Sequence, residues 1–78
     1  MRYFKTIVKI VSCGPGKSYF LAEDMADKGK IYNLEKESDF CFESLRVGDI
    51  LSVLACSNNA IIHIFHTVPN AFINLEYI

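Results

Sequence analysis

Residues 12–20 read SCGPGKSYF, and the reading of this stretch decides what kind of fold the chain can have. Gly14-Pro15-Gly16-Lys17-Ser18 looks like the end of a phosphate-binding loop. In such a loop a glycine, four residues and then Gly-Lys-Ser/Thr let backbone amides wrap the phosphate oxygens. The first glycine would have to stand at residue 11, which is Val. The loop should also open a helix whose N-terminus faces the anion. Instead Tyr19-Phe20-Leu21-Ala22-Glu23-Asp24 follows, with two adjacent aromatics and a period of two. The stretch reads as a turn between strands, and a nucleotide-hydrolysing role is set aside.

The same period of two runs outward on both sides. Before the turn, Phe4, Thr6, Val8 and Ile10 alternate with Tyr3, Lys5, Ile7 and Lys9. Apolar groups on one face and lysines on the other make a half-buried strand, and the β-branched run Thr6-Ile7-Val8 favours it. After the turn Phe20 and Ala22 share one side and Tyr19 and Leu21 the other. Ala26-Asp27-Lys28-Gly29 is a second turn, because Gly29 takes positive φ at little cost. A third strand follows in Lys30-Ile31-Tyr32-Asn33-Leu34.

Residues 35–47, EKESDFCFESLRV, are the one place where a short helical turn is expected, with Ser38 as cap and Asp39 in its first turn. Phe40, Phe42 and Leu45 do not form a helical stripe, so one or two turns are the limit. Gly48-Asp49 then launches a strand with Leu51, Val53 and Ala55 on one side. Ser57-Asn58-Asn59 is a hairpin, since Asn tolerates left-handed backbone. Ala60–Val68 is the next strand, Pro69-Asn70 breaks it, and residues 71–78 read as a further strand. The expected fold is all-β: a small, five- to six-stranded antiparallel barrel with a helical turn after the third strand. Its core spans residues 3–68, and residues 69–78 form a C-terminal extension of the same 78-residue domain.

Composition narrows the function classes. At 78 residues, 51% of them hydrophobic, the chain can bury one core but has little left for a deep substrate cleft. A non-catalytic module is expected, with no cofactor. Lys5 and Lys9 interrupt the N-terminal apolar stretch, which does not fit a signal peptide, and Ala60-Ile61-Ile62 is far short of a membrane span. A cytoplasmic setting is expected. Cys13, Cys41 and Cys56 make no CxxC pair and read as small apolar fillers. The net charge of −1 is uneven: residues 1–30 carry six Lys/Arg against three acids, residues 31–78 two against six. That total argues against strong non-specific binding to duplex DNA.

The strand order, with TIVKIVSCGPGKSYFLAED (residues 6–24), SLRVGDILSV (residues 44–53) and AIIHIFHTV (residues 60–68), resembles the cold-shock and S1-like oligonucleotide/oligosaccharide-binding (OB) domains. An SH3-like barrel is the competing architecture. The resemblance implies single-stranded RNA or DNA bound on the face of the first three strands. Tyr19 and Tyr32 would then stack bases, and Lys9, Lys17 and Lys30 would meet phosphates. In those domains the aromatics of the second strand alternate. Here Tyr19 and Phe20 are adjacent, so one of the two points inward.

A second function class comes from the strand at residues 60–68. Under strict alternation His63 shares a face with Ile61 and Phe65, and His66 shares the other with Ile62, Ile64 and Val68. The two histidines would then point apart and hold no common metal. Either way one apolar face lies outside the barrel, which fits a docking surface for a larger protein at Ile61, His63, Phe65 and Phe72. Pairing of two copies through the C-terminal extension is compatible with both readings.

Overall fold

A computed structural model of the chain describes residues 2–35 and 44–68. Five strands, β1 (Tyr3–Cys13), β2 (Tyr19–Asp24), β3 (Ile31–Glu35), β4 (Ile50–Cys56) and β5 (Ala60–Val68), close into a barrel in the order β1-β2-β3-β5-β4. This is an OB-like circuit, with β1 paired to β2 on one edge and to β4 on the other. The ladder is antiparallel except at its closure. There β3 meets β5 in parallel, at Asn33 and Ala60. The helical turn expected within residues 35–47 falls largely on residues 36–43, and the further strand on residues 71–78. Both lie outside the described residues.

Alternation builds the core of β1 to β4. Val8, Ile10, Phe20, Ala22, Leu34, Leu51, Val53 and Ala55 point into the barrel and are fully buried. Leu45 and Ile61 plug it from the segments on either side of β4, and Phe4 and Ile64 pack against this cluster. Of the adjacent aromatics on β2, Phe20 is the inward one.

Three bulges bend the sheet enough to close with so few strands. In β1 the register slips at Val11, where the strand leaves β4 and continues along β2. In β5 it slips twice: Ser52 and Val53 face His66 and Ile64, skipping Phe65, while Leu54 and Ala55 face His63 and Ile61, skipping Ile62. Each slip adds one unpaired residue, so strict alternation fails along β5. Ile61, Ile64 and Thr67 lean inward in steps of three, and Ile62, His63, Phe65 and His66 are all exposed. The expected division of this strand is corrected accordingly: His63 lies opposite to Ile61, and both histidines are on the outer side.

The turns carry the polar interior. In residues 14–18, a single 3-10 turn at Pro15–Lys17 leads straight into β2, with no helix after it. At the β2–β3 turn, Asp24 is buried, and its carboxylate accepts bonds from Thr6 Oγ1 (2.8 Å), Tyr32 Oη (2.8 Å), Ala26 N (2.8 Å) and Asp27 N (3.1 Å). Burial alone would raise its pKa, but those donors outweigh it and hold the carboxyl below its ordinary value. Gly29 sits at φ 93°, and its amide bonds Glu23 Oε2 at 3.0 Å. At the entry to β4 the Asp49 carboxylate accepts the Arg46 amide at 2.9 Å, and Ile10 of β1 exchanges backbone bonds with Gly48 and Asp49.

Candidate binding face

Because β1, β4 and β5 are neighbours in that order, their outward residues form one continuous surface. Across it run the rows Lys9–Ile50–Val68, Ile7–Ser52–His66 and Lys5–Leu54–His63, and at its end Tyr3 stands beside the buried Cys56, which pairs with Ala60. Four large apolar side chains stand out on it: Tyr3 is 59% exposed, Ile7 51%, Ile62 44% and Phe65 46%. The two β5 bulges put Ile62 and Phe65 there. The Phe65 ring lies edge-on to His63, with centroids 4.7 Å apart, and Lys5 Nζ sits over its face at 4.8 Å. No row contains a carboxylate.

The face of β1–β3, where the OB resemblance implies nucleic acid, has a different character. Outward there are Lys9, Val11, Tyr19, Leu21, Glu23, Ile31, Asn33 and Glu35. Lys9 is opposite Glu23, and Tyr19 is opposite Glu35. Acids thus neighbour the groups expected to meet phosphate and base.

Each expected site residue can now be placed. Tyr32 is a correction: only 1% exposed, it is a core residue whose hydroxyl bonds Asp24, so its ring presents no face for a base. Burial first, then the bond to Asp24 and the charges of Asp24 and Asp27, push its phenol up to about 12. Lys30 lies with Nζ 4.9 Å from the Phe4 ring centre and 5.4 Å from that of Tyr32, covering this end of the core. Tyr19 is partly exposed, its ring laid over Gly14, where any Cβ would collide with it. Lys17 is in the first turn with φ 55°, away from Lys9 and Lys30 in the ladder. The five residues expected to bind nucleic acid therefore do not share one surface.

Of the expected protein interface, His63 and Phe65 lie side by side on the outer face. Ile61 is a correction, since at 7% exposure it belongs to the core. Phe72 lies outside the described residues. Cys13 is also corrected from filler to surface residue, its thiol bonding Gly14 O at 3.3 Å; Cys56 is buried, and Cys41 lies outside the described residues.

Sequence reasoning missed Tyr3, Lys5, Ile7, Ile62 and His66 as members of the site. The alternation of β1 had already put Tyr3, Lys5, Ile7 and Lys9 on its outer side. The missing link was that β4 bridges β1 to β5, which makes those side chains neighbours of Phe65 and His63. Among the described residues no three His, Cys, Asp or Glu side chains gather as a metal ion would require, and no helix is long and apolar enough to cross a membrane.

No protein-family model, curated protein or solved structure matches the chain. The functional reading therefore rests on the face itself.

Proposed function

We propose that the chain is a non-catalytic binding module that docks on a protein partner through the outer face of β1, β4 and β5. The observation that carries this reading is that Tyr3, Ile7, Ile62 and Phe65 share a face with no carboxylate in its rows, whereas the exposed Val11, Tyr19 and Ile31 share theirs with Glu23 and Glu35. An apolar patch rimmed by polar groups loses free energy to water until a partner covers it. Aromatic and aliphatic groups at the centre, with charged stems around them, are the composition of an interface core and its rim. The absence of catalysis is part of the proposal. In its support, the buried acids Asp24 and Asp49 accept backbone or hydroxyl donors that hold turns.

A second reading, single-stranded RNA or DNA binding, is favoured by one observation: Lys5 and Lys9 alternate with Tyr3 and Ile7 beside Phe65. Against it, the β1–β3 face carries Glu23 and Glu35, and two lysines neutralise few phosphates where affinity scales with their number.

Site-specific photo-crosslinking tests the docking reading. A photoreactive residue is placed at Phe65 or Ile7 and, as control, at Leu21 on β2, two strands away from both β4 and β5, in cells expressing the chain. Protein adducts at 65 and 7 but not at 21 are expected. Equal adducts at all three positions, or none, would refute docking on this face. Anisotropy titration with labelled RNA and DNA oligomers decides the second reading: binding that Phe65→Ala abolishes would replace the protein partner with nucleic acid.

A further inference from the structure

We infer that the occupant of this face is an acidic segment of a partner protein, which sets a carboxylate against Lys5 and an apolar side chain beside Phe65. The inference rests on the docking reading above and adds the partner's chemistry to it.

Among the described residues the lysines and acids of the strands are unevenly placed. On the β1–β4–β5 side the rows hold Lys5 and Lys9 along one edge, with Leu54 and Ile50 across from them on β4. The outward acids Glu23 and Glu35 are on β2 and β3; Glu23 is directly opposite Lys9, and Lys5 has no strand carboxylate across from it. A partner covering the apolar centre must also desolvate Lys5, at a cost that an opposite charge offsets. A basic surface would be repelled, and a neutral one would strand that ammonium group. A second copy applied by two-fold symmetry would set this cationic face against itself.

Phe65 separates the remaining alternatives. Its ring would be the natural platform for a base, yet Lys5 Nζ lies over one face at 4.8 Å and His63 meets the ring edge-on. Of the other large apolar side chains on this face, Ile7 and Ile62 offer no flat π surface and Tyr3 is the one further ring. A carboxylate can draw Lys5 toward itself and leave the ring in apolar contact with the same segment.

Anisotropy titration of the full chain with labelled peptides tests this. The peptides share fixed Phe and Leu anchors and differ only in having Glu, Gln or Lys at every other position; oligo-dT of similar length is run beside them. The Glu peptide should bind at least about tenfold tighter than the Gln peptide, and that margin should shrink as salt rises from about 50 to 500 mM. The variant Lys5→Glu, checked for an unchanged circular dichroism spectrum, should shift preference to the Lys peptide. Equal binding of the Glu and Gln peptides, no binding of any peptide, tighter binding of oligo-dT, or salt-sensitive self-association in sedimentation would each overturn the inference. Cross-linking separates this from failure of the docking reading. Adducts confined to positions 65 and 7 without a Glu preference leave docking standing and remove the acidic partner; no adducts and no peptide binding remove both.

Discussion

Tyr32→Phe tests whether the Asp24 network holds the barrel together. The substitution removes one oxygen from a side chain that is 1% exposed and leaves the ring in place. What is lost is a 2.8 Å bond to an ionised, buried carboxylate. Bonds to charged groups contribute about 1.5–3 kcal/mol. The phenol is displaced upward from 10.0 to about 12, by burial first and by this bond second, so only part of that shift belongs to the bond. Because the folded value lies above the unfolded one, this stabilisation is complete below pH 10 and disappears as pH rises through about 12. Urea unfolding at pH 7 should therefore show Tyr32→Phe less stable by about 1.5–3 kcal/mol, a fall in Tm of several degrees per kcal/mol at roughly 4–8 °C each. Between pH 10 and 12 the wild type should converge on the variant, whose own alkaline slope is flatter. A variant within about 0.5 kcal/mol of wild type at pH 7, the range of an inconsequential surface change, would refute the reasoning. So would an unchanged alkaline slope.

Three further outcomes are expected. Asp24→Asn should lower stability at neutral pH and flatten the acid limb. The depressed carboxyl contributes stability above its unfolded pKa that is lost as pH falls through the lower folded value, and acid unfolding followed by circular dichroism reads the difference. Gly14→Ala should destabilise by about 1–3 kcal/mol, because its Cβ meets the Tyr19 ring, and adding Tyr19→Ala should recover much of that loss in a double-mutant cycle. Phe65→Ala should change unfolding free energy by less than about 1 kcal/mol, the size of an exposed cation–π contact, while abolishing the adducts at position 7.

Much of the fold was legible because β2, β4 and β1 as far as its bulge obey strict alternation: spacing alone set Val8 and Ile10 apart from the lysines and grouped Phe20 with Ala22 and Leu51 with Val53 and Ala55, and each of these sets is the buried one. The turns were legible from backbone chemistry, with Gly29 at φ 93° and Asn59 at φ 65°. Tyr32 was misplaced although a signal was present. It shares its side of β3 with Leu34, while Asn33 and Glu35 mark the wet side. The OB resemblance drew it outward against that pattern, and the buried hydroxyl is accommodated only because Asp24 waits inside. The binding face was the least legible part. Bulges leave no residue signature in Ala60–Val68, and nothing local to β1 says that it lies one strand away from Phe65.

The position of β1 also shapes how this chain must fold. Its outer half finds β2 within a short hairpin, Ile10 against Ala22, but its first half waits for a strand far along the chain, Tyr3 against Cys56. Closing so long a loop costs entropy before any ladder bond returns it, so the β1–β2–β3 meander forms early and the circuit closes late. During synthesis the free edge at residues 3–7 stays open until β4 has emerged, and in that interval it is the most exposed template for unwanted strand pairing.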